Sequence, residues 1–216
     1  MRPPRYGVTV TRFNNKTWEE NRTFRRRKEE SGAVYGSPRP LSDDAIAYEA
    51  CFVIEMNNET NQILGVGLIQ CCPARKKERI YEWGHYNRYT YRGNKRSDIG
   101  PWVTEFRKSL GALTLLLFHG KGHFKRGQGI SLLPGWIADS PLLDLRRCFS
   151  RILGLDRIDH PKRTALPGKA DPLQGPGPLL TIARNLRNLD GVGATDPSEE
   201  GIAEVGKVYK SLETLS

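Results

Sequence analysis

The stretch over residues 48–70, YEACFVIEMNNETNQILGVGLIQ, constrains the fold more than any other part of the chain. Its ends, YEACFVIEM and QILGVGLIQ, are strand-like, and the five residues between them, NNETN, have turn chemistry. Residues 48–56 and 62–70 are therefore predicted to form a hairpin closed by a five-residue loop. Gly65 and Gly67 fall two apart, on one face of the second strand. A face without side chains predicts that another backbone, a helix or a ligand packs closely there.

The flanking segments supply further elements. Residues 6–11, YGVTVT, alternate as a short strand, and Asn14 or Asn15 can cap the helix that follows. That helix carries Glu19 and Glu20 near its positive end and Arg25, Arg26, Arg27 and Lys28 toward its negative end, with Trp18 and Phe24 as core contacts. Residues 35–40 read as loop. RIYEW (79–83) and RYTYRG (88–93) read as a second pair of strands. Residues 102–110 are predicted helical, with Trp102, Val103, Phe106 and Leu110 on one side. The aliphatic run at 113–118 fits a strand or a helix fragment and is too short to span a bilayer. Pro141 at a helix N1 position opens an amphipathic helix that ends before Gly154.

These elements predict an α+β fold: a strand-rich, compact basic domain over residues 1–138, able to close partly into a barrel. An amphipathic helix (139–158) would pack on it. A Pro/Gly-rich linker (159–178) and a helical tail (179–216) would form a helix-tipped C-terminal arm. With no apolar leader at the N-terminus, the protein is expected inside a cell and not inserted in a membrane. The four cysteines, 51, 71, 72 and 148, include no CxxC pair and read as reduced thiols.

Charge narrows the partner. Residues 1–138 hold 23 Lys and Arg against 13 Asp and Glu, an excess equal to the whole chain's +10, while the remainder is balanced. So lopsided a distribution points to a polyanion, nucleic acid before membrane surface. Two constellations could meet it. Over residues 75–96, Arg75, Lys76, Lys77, Arg79, Arg88, Arg92, Lys95 and Arg96 interleave with Tyr81, Trp83, Tyr86, Tyr89 and Tyr91, of which Trp83, Tyr86 and Tyr89 are the stacking candidates. Cations can follow phosphates while aromatic faces stack on bases, the mixture that single strands favour. Over residues 119–129, HGKGHFKRGQG, glycines let the backbone approach an anion while His119, Lys121, His123, Lys125 and Arg126 supply donors and charge. The cations are expected to converge on one continuous electropositive face.

Other chemistry has less to stand on. No Ser or Thr follows Lys121 or Lys125 as a nucleotide-hydrolysing phosphate loop requires. His119 and His123 lack a third ligand, so neither a metal site nor another cofactor is expected. Glu49, Glu55 and Asp98 with Lys121 or His123 could gather around a nuclease metal, but their spacing matches no motif; structural carboxylates that pair with the abundant arginines explain them better, and no catalytic residue is assigned.

The stretches YGVTVTRFNNKTWEENRTFR, FVIEMNNETNQILGVGLIQ, HYNRYTYRG and FHGKGHFKRGQGISLLP together resemble a group of uncharacterised proteins of large cytoplasmic DNA viruses of algae and amoebae. More distantly, the tryptophan-bearing helix and the strand ending in ILGVGLI resemble small PUA- and EVE-type barrels, which bind RNA or modified bases. The viral resemblance implies a host-cell location, in cytoplasm or nucleus, or packaging in the virion. It also implies an alternative role as a minor capsid or cement protein that contacts other virion proteins through the C-terminal arm.

Overall fold

The computed structural model describes residues 6–119 and 122–155. The expected linker and tail, the end of the 139–158 segment, and Lys121 lie outside the described residues. The fold is mixed α+β. Strand β1 (Tyr6–Phe13) leads into α1 (Asn15–Arg27), β2 (Ala33–Ser37) and a single helical turn, α2 (Asp43–Ile46). The hairpin of β3 (Ala50–Asn57) and β4 (Gln62–Gln70) comes next, then β5 (Tyr89–Gly93) and β6 (Lys95–Asp98). Helix α3 (Arg107–Phe118), β7 (Ser131–Leu132), α4 (Gly135–Ala138) and α5 (Leu145–Ile152) complete the described elements.

One sheet has the strand order β6-β4-β3-β1-β7 and a second pairs β2 with β5. The larger sheet is open, with β6 and β7 at its edges, so the described residues form no closed barrel. β1 runs parallel to β3, from Tyr6 opposite Ala50 to Phe13 opposite Asn57. Parallel neighbours require a crossover, and residues 14–49 with α1 provide it. Helix α1 starts as its sequence suggests: the Asn14 side chain accepts from the Thr17 N–H at 2.7 Å, and Thr17 Oγ1 accepts from the Asn14 N–H at 3.0 Å.

Strand alternation divides the core. Val8, Val10, Phe52, Ile54, Met56 and Val66 face α3 and α5, where Leu113, Leu117, Leu145 and Phe149 meet them. Phe13, Cys51, Val53 and Ile69 face the other way, toward Phe24, Val34, Tyr35 and Tyr91. β3 is buried on both faces from Cys51 to Asn57, which explains its nearly continuous apolar sequence.

The expectation at Gly65 and Gly67 is met by tight packing. A Cβ on Gly67 would strike the Tyr35 hydroxyl and come within 2.7 Å of Ala33 Cβ. One on Gly65 would lie 2.7 Å from an Arg96 guanidinium nitrogen and would also strike Glu55. The bare face of β4 thus lets the small sheet and β6 lie close against it.

Four local expectations are corrected. Residues 79–83 form no strand: the Asn87 side chain accepts from the Ile80 and Tyr81 N–H groups, each at 3.0 Å, and donates to the Tyr81 carbonyl at 2.7 Å. One amide therefore does the work of a neighbouring strand. The true partner of β5 is β2, whose last three residues, 35–37, lie in the segment read as loop. Gly36 is needed there because a Cβ would meet the Tyr86 carbonyl and the Tyr81 ring. Finally, the run at 113–118 is the end of a helix beginning at Arg107, not at 102, and α5 begins at Leu145, after the left-handed Asp144 (φ 41°).

Candidate nucleic-acid interface

Three segments distant in sequence meet where β1 ends and α1 begins. They enclose a cleft of about 660 Å³, a volume suited to a small ligand or a few nucleotide groups. Arg12, Phe13, Asn14, Lys16 and Thr17 contribute from the β1–α1 junction, Arg79, Trp83 and Tyr86 from the loop before β5, and Gly127, Gln128 and Gly129 from the glycine loop. Glu20, Glu82 and Asn58 complete the lining. Parts of the two constellations that the sequence singles out therefore line one concavity.

The aromatic side is built on the Asn87-braced turn. Trp83 is 68% exposed, unusual for so large an apolar ring. Its edge-to-face contact with Tyr86, 5.5 Å between centroids, supports it, and Tyr86 in turn packs on the buried Tyr81 at 6.1 Å. Tyr89 is half-buried and packs against the Tyr35 side of the core, outside the cleft lining.

A second part of the lining is organised by Arg12. Its guanidinium donates Nε–H to the Phe124 carbonyl, and one terminal nitrogen reaches the Ser131 hydroxyl at 3.0 Å and the Gly129 carbonyl at 3.4 Å. No carboxylate forms an ion pair with it among the described residues, and burial lowers its pKa to about 10, leaving it charged at neutral pH. The glycine loop is anchored twice more: Asn58 donates to the Lys125 carbonyl at 2.9 Å, and Lys125 Nζ donates to Asn61 at 2.8 Å. Gly127 (φ 117°) and Gly129 (φ 75°) hold conformations that side chains resist. Arg12→Lys keeps the charge but loses the fork. It is expected to speed hydrogen exchange of residues 122–131 roughly tenfold, the effect of losing about one net hydrogen bond. Unchanged protection would show that the loop holds itself.

The candidate cations separate into distinct environments. Arg75, Lys76, Lys77, Arg88, Lys95 and Arg126 are exposed and enter no ion pair among the described residues, though none lines the cleft. Lys125 is half-buried and committed to Asn61. His123 accepts from the Lys125 N–H at 3.3 Å; burial, then Arg126 and Lys125, lower its pKa, so it is neutral at pH 7. His119 is exposed at the end of α3.

Two arginines leave the candidate set. The Arg96 side chain is 7% exposed and makes a two-pronged contact with Glu55, at 3.1 and 2.7 Å, plus a 2.6 Å ion pair with Asp98. Tyr35 also donates to Glu55, at 2.8 Å. Burial lowers the Arg96 pKa, and the Glu55 carboxylate more than reverses this, so the group stays charged. Arg92 is held between Glu30 (2.5 Å) and Glu78 (2.9 Å). The electropositive face expected over 75–96 is therefore interrupted at both positions. The same contacts dismantle the nuclease arrangement, since Glu55 is fully buried and Asp98 is engaged by Arg96. Among the described residues, no group of three or more His, Cys, Asp or Glu is placed to hold a metal ion.

Arg12, Lys16, Asn58 and Gln128 were not singled out in the sequence. Arg12 did leave a signal: it shares strand parity with Val8 and Val10, so a cation occupies an inward position. No family model, curated protein or solved structure matches this chain. Among the described residues, no helix is long and apolar enough to cross a membrane.

Proposed function

We propose that the protein binds single-stranded nucleic acid, with one or two bases entering the cleft against Trp83 and phosphates meeting Arg79, Lys16 and the glycine loop. The observation that carries this reading is the exposed Trp83 ring, held by Tyr86 and lining the same cleft as Arg12 and the loop glycines. Stacking accepts any base, while the exposed cations at 75–77, 88, 95 and 126 add positive charge outside the cleft. Glu82 moderates the charge at the mouth, where it pairs with Lys16 at 2.5 Å. Both partners are about two-thirds exposed, so an arriving phosphate can displace the carboxylate at little expense.

Titration of single-stranded and duplex oligonucleotides across a salt series tests the proposal. Single strands should bind more tightly, with log K falling linearly as log salt rises. Trp83→Ala should weaken single-strand binding about 5- to 100-fold, the loss of one base stack, at nearly unchanged melting temperature. Equal affinity in the variant would remove the cleft from the interface. The viral resemblance supports a role during infection. It also supports a second reading, a minor virion component, which predicts fixed stoichiometry in purified particles and no such salt slope.

A further inference from the structure

A feature on the opposite side of β3 from α5 is independent of nucleic-acid binding. The Sγ atoms of Cys51 and Cys71 lie 3.2 Å apart, with both residues buried. We propose that Cys51 and Cys71 form a redox-modifiable dithiol that a hydroperoxide converts to an intramolecular disulfide.

The geometry prepares this bond. Cys51 lies within β3, and its sulfur is close-packed: a Cβ on Gly7 would come within 2.7 Å of it. It therefore has little room to turn from its neighbour. Cys71 follows the last residue of β4 and sits in a bend outside the ladder, so cross-strand hydrogen bonds do not fix its backbone. Closing the sulfurs to bonding distance, about 2.05 Å, requires a shift of roughly 1.2 Å, which that bend can supply. Cys72, the next residue, is exposed.

The two sulfurs have different parts. The hydrogen bond between the two thiols, in which either sulfur can donate, lowers the Cys71 pKa and raises that of Cys51. Cys71 is also slightly accessible, whereas Cys51 is not. Cys71 thiolate attacks the terminal oxygen of the hydroperoxide, forming an S–O bond as the O–O bond breaks and an alkoxide leaves. The alkoxide takes up a proton from water, giving the alcohol and a sulfenic acid on Cys71. Cys51 sulfur then attacks the Cys71 sulfur, and the departing hydroxide takes the Cys51 proton to leave as water. Two electrons pass from the thiols to the peroxide. The product pins the root of the segment that carries Arg75, Lys76 and Lys77 to the central strand.

The experiment exposes the full chain to cumene hydroperoxide, then alkylates it and maps peptides without reduction. The expected product has lost two hydrogen atoms and two of its four thiols, and contains a Cys51–Cys71 cross-link that dithiothreitol removes. Cys72→Ser should form the same link. Linkage through Cys72, or sulfinic acid accumulating on Cys71 without the link, would overturn the proposal. Because the wild-type map reads the linkage directly, the decision does not depend on a variant that may not fold.

Discussion

Glu55→Gln should destabilise the fold by about 3–5 kcal/mol, the usual consequence of removing one partner from a buried ion pair. Glu55 is wholly buried in the central strand, surrounded by the Arg96 guanidinium, the Tyr35 hydroxyl and the bare backbone of Gly65. Glutamine fills the same space but, among the described residues, leaves the Arg96 charge with the exposed Asp98 as its one carboxylate partner, beside the Trp18 ring. At this chain length the melting temperature should fall by roughly 10 °C. Glu55→Leu combined with Arg96→Met removes both charges and should recover most of the loss, since burying the pair already required desolvating it. Thermal melts of the two variants separate these outcomes. A drop of under about 1 kcal/mol for Glu55→Gln would mean that water reaches the pair.

The second large effect concerns affinity. Arg79→Glu with Arg126→Glu should weaken single-strand binding on the order of 100-fold and reduce the salt slope by about two phosphate contacts. Arg79 lines the cleft with Trp83, and Arg126 precedes Gly127, which also lines it. Both are exposed, so the melting temperature should hardly move. Lys125 is a poorer choice because its ammonium anchors the glycine loop to Asn61, and reversing it would confuse binding with loop structure. Arg107→Glu with Lys108→Glu places the same charge change on the exposed start of α3, outside the cleft lining, and should matter much less. Equal losses from the two double variants would mean that only net charge is sensed.

The sequence revealed elements whose determinants are local. The hairpin could be read from two strand patterns around an Asn-rich turn, and α1 from a cap followed by an amphipathic run. The β2–β5 ribbon could not, because Gly36 looks like a turn residue until Tyr81 is found packed against it. In α3, the run LTLLLF is apolar on every side, so periodicity could not distinguish helix from strand.

The candidate site was partly legible for a similar reason. Trp83, Tyr86 and the glycines were visible as unusual residue types, but their meeting with Arg12 and Lys16 depends on where β1 ends in space. Counting charges along 75–96 gave equal weight to Arg88, which is exposed, and Arg96, which is enclosed. The clue was Glu55, whose pairing with an arginine the sequence suggests without saying which one. A carboxylate within CFVIEM, in a strand buried on both faces, must be met by a cation or by several donors. Arg96 is that cation and is not spare charge.

Photochemical cross-linking of a single-stranded oligonucleotide to the full chain, followed by identification of the modified peptides, tests the central claim most directly. Adducts should concentrate on Trp83, Tyr86 and residues 122–129, and should diminish as salt rises. Adducts concentrated instead on the arginine-rich end of α1, or spread evenly over the exposed cations, would contradict a cleft-centred interface.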